Sequence, residues 1–186
     1  MLLKNNFKVS HNLKRVNSKW INKVQQGKTP NSQDLLEHLH IIHNYYAGFT
    51  EKIAKKCCDL NGKNSYELLL DTIDIDYHTT VLDLACGSGA LLELCHKRFP
   101  LKLKLSGVDI NGNELKLAQN RLADANINFY KAKAQELNFI KNASQDVIFC
   151  HWALTLMDPV VPVLETIKRL LKNQGTFSAI VDGEYN

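Results

Sequence analysis

The stretch from Asp83 to Gly89, Asp-Leu-Ala-Cys-Gly-Ser-Gly, carries the residues best suited to hold a charged ligand. Gly87 and Gly89 permit positive φ angles and let a ligand approach the backbone without meeting a Cβ atom. Unpaired amide groups at the start of the helix predicted after this turn favour a carboxylate or a phosphate. Asp83, directly before the turn, is instead a good neighbour for an ammonium group. The stretch therefore predicts a strand–turn–helix site for a nucleotide-like ligand.

Two common nucleotide motifs do not fit this turn. The dinucleotide fingerprint requires a third glycine where this chain has Leu92, and a phosphate-binding loop requires a Gly-Lys-Ser/Thr that does not follow. From these residues alone, two alternatives stay open. The turn could bind nothing, or it could bind a different nucleotide-type ligand.

A second aspartate makes the pattern more specific. Asp109 lies 22 residues beyond Gly87, at the end of an alternating apolar stretch that predicts the second strand. An acidic residue at this position can accept hydrogen bonds from both hydroxyl groups of a ribose. The alternative interpretation is that Asp109 only caps the helix predicted over residues 111–120.

The run Asp83-x-Ala85-x-Gly87-x-Gly89 resembles the first motif of the class I S-adenosylmethionine-dependent methyltransferases, and the similarity extends over roughly residues 35–183. The resemblance implies an α/β fold with a Rossmann-like, doubly wound, mostly parallel sheet. It also implies S-adenosyl-L-methionine as cofactor and S-adenosyl-L-homocysteine as product. The implied reaction is direct in-line methyl transfer to a small-molecule acceptor. A module that holds the cofactor or a partner without turnover is the alternative.

The resemblance also assigns the cofactor contacts. Lys133 stands where the family often has an aspartate, so the adenine would be read by the Ala134 backbone and by Gln135. His151, at the end of the fourth predicted strand, is a candidate base for the acceptor, although a hydrogen-bonding role beside the cofactor is the simpler interpretation. The expected cofactor-binding residues are Asp83, Ala85, Cys86, Gly87, Ser88, Gly89, Asp109, Ile110, Ala134, Gln135, His151 and Trp152.

From residue 80 onward the pattern alternates between strand and helix, which predicts a cofactor domain over residues 76–186. Residues 1–75 are predicted to form an N-terminal helical cap. Asp158 and Pro159 predict the start of the last helix, and residues 173–175 predict its end before a fifth strand at 176–181. The usual seven-stranded sheet would then lack its C-terminal strands. The fifth strand would be an open apolar edge that favours self-association.

Charge and composition narrow the classes of partner. Residues 1–28 carry seven basic residues and no acidic one, and Val9, Leu13, Val16, Trp20 and Val24 fall on one helical face. A basic amphipathic helix can bind an acidic membrane surface, nucleic acid or an acidic patch on its own protein. Docking on its own domain is the simplest interpretation, and the absence of interleaved aromatics disfavours nucleic acid. No apolar run is long enough for a membrane span. Five cysteines without a C-x-x-C spacing predict reduced thiols and a cytoplasmic protein, and the three histidines at 38, 40 and 43 lack a convincing metal pattern.

Overall fold

The alternating segments form a parallel sheet. In the computed structural model, which describes residues 16–181, the strands are β1 Thr80–Leu84, β2 Lys104–Asp109, β3 Ile127–Lys131, β4 Gln145–His151 and β5 Leu171–Ile180. They pair in the order β3-β2-β1-β4-β5, and all four pairings are parallel. The predicted Rossmann-like α/β class is therefore confirmed, with five strands among the described residues.

The helices of the described part of the chain are α1 Lys19–Gln25, α2 Ser32–Tyr45, α3 Phe49–Ala54, α4 Ser65–Leu70, α5 Ala90–Arg98, α6 Gly112–Arg121 and α7 Val161–Leu170. A short 3₁₀ turn spans Leu154–Leu156. Between residues 16 and 181, none of these helices combines the length and the apolar content that crossing a bilayer requires.

Alternating side chains of the central strands bury two separate cores on the two faces of the sheet. Val81 of β1 packs in a cluster with Leu91 and Leu92 of α5. Leu82, the next residue of β1, packs in the other cluster with Val163 and Ile167 of α7. Strand β4 is buried from Asp146 to His151, as expected for a strand covered on both faces. This double-sided packing fixes the strand ends that carry the site.

Two predicted boundaries are wrong. Helix α7 begins at Val161 rather than at Asp158-Pro159, because Pro162 lies in its first turn and supplies a helical φ angle there. The turn predicted at residues 173–175 lies inside β5, where the pairing register with β4 shifts between Gln145 and Val147. Gln174 takes a φ of 67° in this irregular part of the strand, so the strand accommodates the extra residues as a bulge.

The described residues divide into two compact units, one that ends at Ile42 and one that begins at His43. In the first unit Trp20 of α1 stacks on His38 of α2, with ring centroids 5.0 Å apart. The Ser18 hydroxyl accepts a hydrogen bond from the backbone of Ile21 and so caps α1.

Part of the N-terminal prediction is not tested. Val9 and Leu13, two members of the predicted apolar face, lie outside the described residues. The docking of the basic arm and the predicted division between residues 75 and 76 stay predictions.

Candidate functional site

The turn that follows β1, Ala85–Gly89, is called the glycine turn below. It lies at the carboxyl end of β1, between β2 and β4, where the connections leave the sheet in opposite directions. Ligands of open parallel sheets bind at this switch point. Ala85, Gly87 and Gly89 take φ angles of 61°, 50° and 75°. A left-handed alanine costs on the order of 1 kcal/mol, so the rest of the site must hold this backbone in place.

The two glycines of the turn have different surroundings. A Cβ atom added to Gly87 would find only the Glu114 carboxylate within 4 Å, at 3.9 Å, so this side of the backbone is open. A Cβ atom added to Gly89 would lie 2.9 Å from the Ala118 Cβ atom. Gly87 thus leaves space beside the turn, whereas Gly89 permits close packing of the turn on α6.

Asp109, at the end of β2, is tied directly to the glycine turn. Its Oδ2 atom accepts a hydrogen bond from the Gly87 backbone N–H at 2.8 Å, and its Oδ1 atom accepts one from the Asn111 N–H at 2.7 Å. Burial raises the pKa of Asp109, and these two N–H donors partly offset that rise. The alternative role as a helix cap falls to Asn111, whose side chain accepts from the backbone of Asn113 and Glu114. Each Asp109 oxygen keeps a second lone pair for a ligand.

Asp83 is the least satisfied polar residue of the site. Its side chain is 2% exposed, and its Oδ1 atom has no hydrogen-bond partner among the described residues. Burial raises the pKa of this carboxyl well above its usual range, and the charge of Asp109 raises it further. An unpaired buried acceptor costs about 1–3 kcal/mol, so its presence next to an open turn points to a ligand that would partner it.

The remaining predicted contacts lie at the neighbouring strand ends. Ile110 follows Asp109 and is 43% exposed, which leaves an apolar side chain open beside the acidic residue. Ala134 is buried in the core cluster that contains Leu84 and Val108, the last apolar residues of β1 and β2. Gln135 is half-buried. These positions agree with a site at the carboxyl ends of the strands.

His151 and Trp152 end β4. The His151 ring stacks on Tyr66 at 4.2 Å and contacts the Trp152 ring at 4.8 Å, both measured between centroids. Its Nε2 atom lies 2.7 Å from the Ser65 hydroxyl of α4. Burial lowers the pKa of His151 to about 4, so the imidazole is neutral at physiological pH. Trp152 takes a φ of 50°, an uncommon backbone for a bulky residue.

Two buried glutamates that contact the site were not predicted from the sequence. Glu51 of α3 accepts hydrogen bonds from the Ser88 hydroxyl of the glycine turn and from Arg121. Glu114 of α6 accepts one from the Gly48 backbone. Both glutamates are buried although neither lies in an apolar pattern. The local signal in the sequence is that each is an acidic residue in the first turn of its helix.

Comparison with known proteins places this geometry in a family. The family described as "Methyltransferase domain" matches residues 81–175, which is just over half of the chain. A ubiquinone/menaquinone biosynthesis C-methyltransferase, UbiE of Desulfotalea psychrophila, is 34% identical over 95 residues. That match covers 51% of this chain and 38% of the relative, so the chain spans well under half the length of this relative.

Solved structures of similar fold include a SAM-dependent methyltransferase from Aquifex aeolicus, with a TM-score of 0.51 and 23% identity over 58% of each chain. The plantazolicin methyltransferase BpumL, solved with SAH, has a TM-score of 0.51 and 25% identity, over 75% of this chain and 49% of its own. From its sequence match, its parallel sheet and its glycine turn, the chain belongs to the methyltransferase domain family, the class I S-adenosylmethionine-dependent methyltransferases, whose cofactor is S-adenosylmethionine.

Proposed function

We propose that the chain binds S-adenosylmethionine at the glycine turn and transfers its methyl group, by direct in-line displacement, to a small-molecule acceptor. The observation that carries the proposal is the Oδ1 atom of buried Asp83, which has no hydrogen-bond partner among the described residues and belongs to the strand that leads into the open glycine turn. The cofactor carries an ammonium group and a sulfonium cation, both of which an acidic site attracts. It also carries a ribose diol that suits the free lone pairs of Asp109. The residues present therefore fit the cofactor of the family.

Each expected contact has a distinct role in this proposal. Asp83 holds the amino group of the cofactor, and Asp109 accepts the ribose hydroxyls. Ile110 packs against the adenine, which the Ala134 backbone and Gln135 read, while His151 and Trp152 form the wall at the end of β4. The backbone of the glycine turn, contributed by Ala85, Cys86, Gly87, Ser88 and Gly89, faces the amino-acid end of the cofactor.

When bound, S-adenosylmethionine supplies an electrophilic methyl group on a sulfonium centre. The residues of the chain align the reactants and exclude water, and such positioning accounts for most of the acceleration that this reaction type requires. The base role predicted for His151 stays a prediction. Because its Nε2 atom lies at hydrogen-bond distance from Ser65, His151 would have to exchange that contact for one with the acceptor.

The proposal predicts that S-adenosylhomocysteine binds the wild-type chain in a calorimetric titration and that Asp109→Ala weakens this binding. Lost hydrogen bonds to the ribose should cost about 1–3 kcal/mol. Asp109 also accepts from Gly87, so thermal unfolding of the variant must accompany the titration. No detectable binding by folded wild-type protein at millimolar ligand would contradict the proposal.

Turnover separates this proposal from a module that only binds the cofactor. The measurement is transfer of a labelled methyl group from S-adenosylmethionine to a panel of acceptors. The panel begins with precursors of ubiquinone and menaquinone, because the relative UbiE is a C-methyltransferase of their biosynthesis. Cofactor binding without transfer to any member of a broad panel would favour the binding module.

We also propose that the chain self-associates through β5. Among the described strands β5 pairs only with β4, so its outer edge is unpaired. Its last four residues, 177–180, carry no charge and are apolar except for Ser178, and Val181 directly after them is 48% exposed. An edge segment of this composition is a template for pairing with another strand. A second copy of the chain is the simplest source of such a strand.

Light scattering should show a mass that rises with protein concentration, and Val181→Lys should reduce this rise because an edge lysine opposes strand pairing. Leu101→Lys is the matched control, since Leu101 is fully exposed on a loop away from β5. A wild-type chain that remains monomeric at the highest concentration would show that the edge does not pair.

A further inference from the structure

Residues 43–54 comprise the end of α2, the loop after it and α3. This segment contacts α6 through the buried carboxylate of Glu114 and contacts the glycine turn through the buried carboxylate of Glu51. We infer that Glu51 and Glu114 are positioning residues that fasten this segment beside the glycine turn, and that this fastening sets the affinity for the cofactor. The inference rests on the proposed cofactor site. Glu51 and Glu114 lie in helices α3 and α6, outside the strand ends and the glycine turn that form the proposed cofactor site.

The first fastening point is Glu114, in the first turn of α6. Its side chain is 3% exposed. The backbone N–H of Gly48 lies 3.0 Å from both carboxylate oxygens, and His43 Nδ1 lies 2.7 Å from Oε1. Within residues 16–181, the same carboxylate is the one group within 4 Å of a Cβ atom added to Gly87. Glu114 therefore holds the segment beside the open side of the glycine turn.

Asn44 reinforces this first point. Its side-chain oxygen accepts a hydrogen bond from Asn111 Nδ2 at 3.0 Å, and its backbone carbonyl accepts one from Asn113 Nδ2 at 3.1 Å. Asn111 also binds Asp109 through its backbone N–H. The segment, the start of α6 and the expected ribose acceptor thus form one connected set of hydrogen bonds.

The second fastening point is Glu51, in α3. Its Oε2 atom accepts from the Ser88 hydroxyl at 2.6 Å and from Arg121 at 2.7 Å, and its Oε1 atom accepts from Lys55 at 2.6 Å. Burial raises the pKa of this carboxyl, but the hydrogen bonds from Lys55, Ser88 and Arg121 outweigh burial and hold the pKa below its usual range. Glu51 is therefore ionised and bonded to Ser88 of the glycine turn.

Gly48 permits this close approach. It takes a φ of 77°, and an added Cβ atom would lie 3.2 Å from Leu117 of α6. A side chain here would crowd Leu117, so glycine lets the segment lie close to α6, where the Gly48 N–H reaches Glu114. The two carboxylates thus hold the segment at two points, one on α6 and one on the turn. A detached segment would expose the turn and reduce the fraction of molecules competent to bind.

The test measures S-adenosylhomocysteine binding by calorimetry for the Glu51→Ala, Glu114→Ala double variant, with exposed Glu165→Ala of α7 as the matched control. We expect the double variant to bind at least about tenfold more weakly, a loss of about 1.4 kcal/mol, while the control binds as the wild type does. Hydrogen exchange of amides 43–54 should become faster in the double variant, with little change in β1 and β4. A purely structural role would instead lower protection throughout the sheet.

The glutamine variants Glu51→Gln and Glu114→Gln retain one acceptor oxygen each, so we expect them to fold and to recover part of the affinity. They replace the alanine variants if those do not fold. Equal affinity in wild type and folded variants would overturn the inference and leave the proposed function standing. Absence of binding by the wild type would overturn both.

Discussion

Gly87→Val should abolish cofactor binding while the domain stays folded. The open side of Gly87 has only the Glu114 carboxylate nearby, so a valine side chain would occupy the space assigned to the cofactor. We expect a loss of affinity for S-adenosylhomocysteine of at least about 100-fold, equivalent to about 2.8 kcal/mol. The φ of 50° at this position adds strain on the order of 1–2 kcal/mol, which a domain of ordinary stability tolerates.

Gly89→Ala is the informative contrast to this variant. Its Cβ atom would lie 2.9 Å from Ala118 Cβ and 3.3 Å from Leu122 Cδ1. We expect overpacking to lower the free energy of unfolding by about 1–3 kcal/mol, and the melting temperature by about 2–4 °C per kcal/mol. Circular dichroism and calorimetry on both variants check this separation. If Gly87→Val bound S-adenosylhomocysteine as tightly as the wild type, the turn would not be the cofactor site.

Local pattern was sufficient to predict the sheet and the residues at its strand ends. Asp83, Gly87 and Asp109 stand where short apolar strands stop, and their types reflect a backbone or ligand requirement that a linear sequence can display. The structure shows a direct hydrogen bond between the Gly87 N–H and Asp109. The cofactor contacts assigned to these two residues and to the other ten stay predictions.

Tertiary packing explains what the pattern could not predict. Glu51 and Glu114 matter because residues 43–54 fold back against α6, and no spacing in the sequence encodes that contact. The late start of α7 and the early start of β5 have a related cause. Asp158-Pro159 and Asn173-Gln174-Gly175 are ordinary turn sequences, but pairing with β4 extends β5 through the second of them.

Ionisation of buried Asp83 is unfavourable in the cofactor-free domain, so Asp83→Asn should raise its melting temperature and should weaken cofactor binding. The raised pKa means that the folded state keeps this proton to a higher pH than the unfolded state does. As the pH rises above the usual aspartate value, the unfolded state loses its proton first, and the free energy of unfolding falls. The amide side chain has no such proton to lose.

Thermal unfolding of wild type and Asp83→Asn across a pH series tests this expectation. The difference in melting temperature should be small near pH 4, about the unperturbed aspartate pKa, and should grow toward neutral pH. At neutral pH we expect a gain of about 1–3 kcal/mol without ligand. S-adenosylmethionine should bind the variant about tenfold or more weakly, because the asparagine lacks the charge that attracts the cations of the cofactor. A variant less stable than the wild type at every pH, with unchanged affinity, would show that Asp83 supports the fold rather than the ligand.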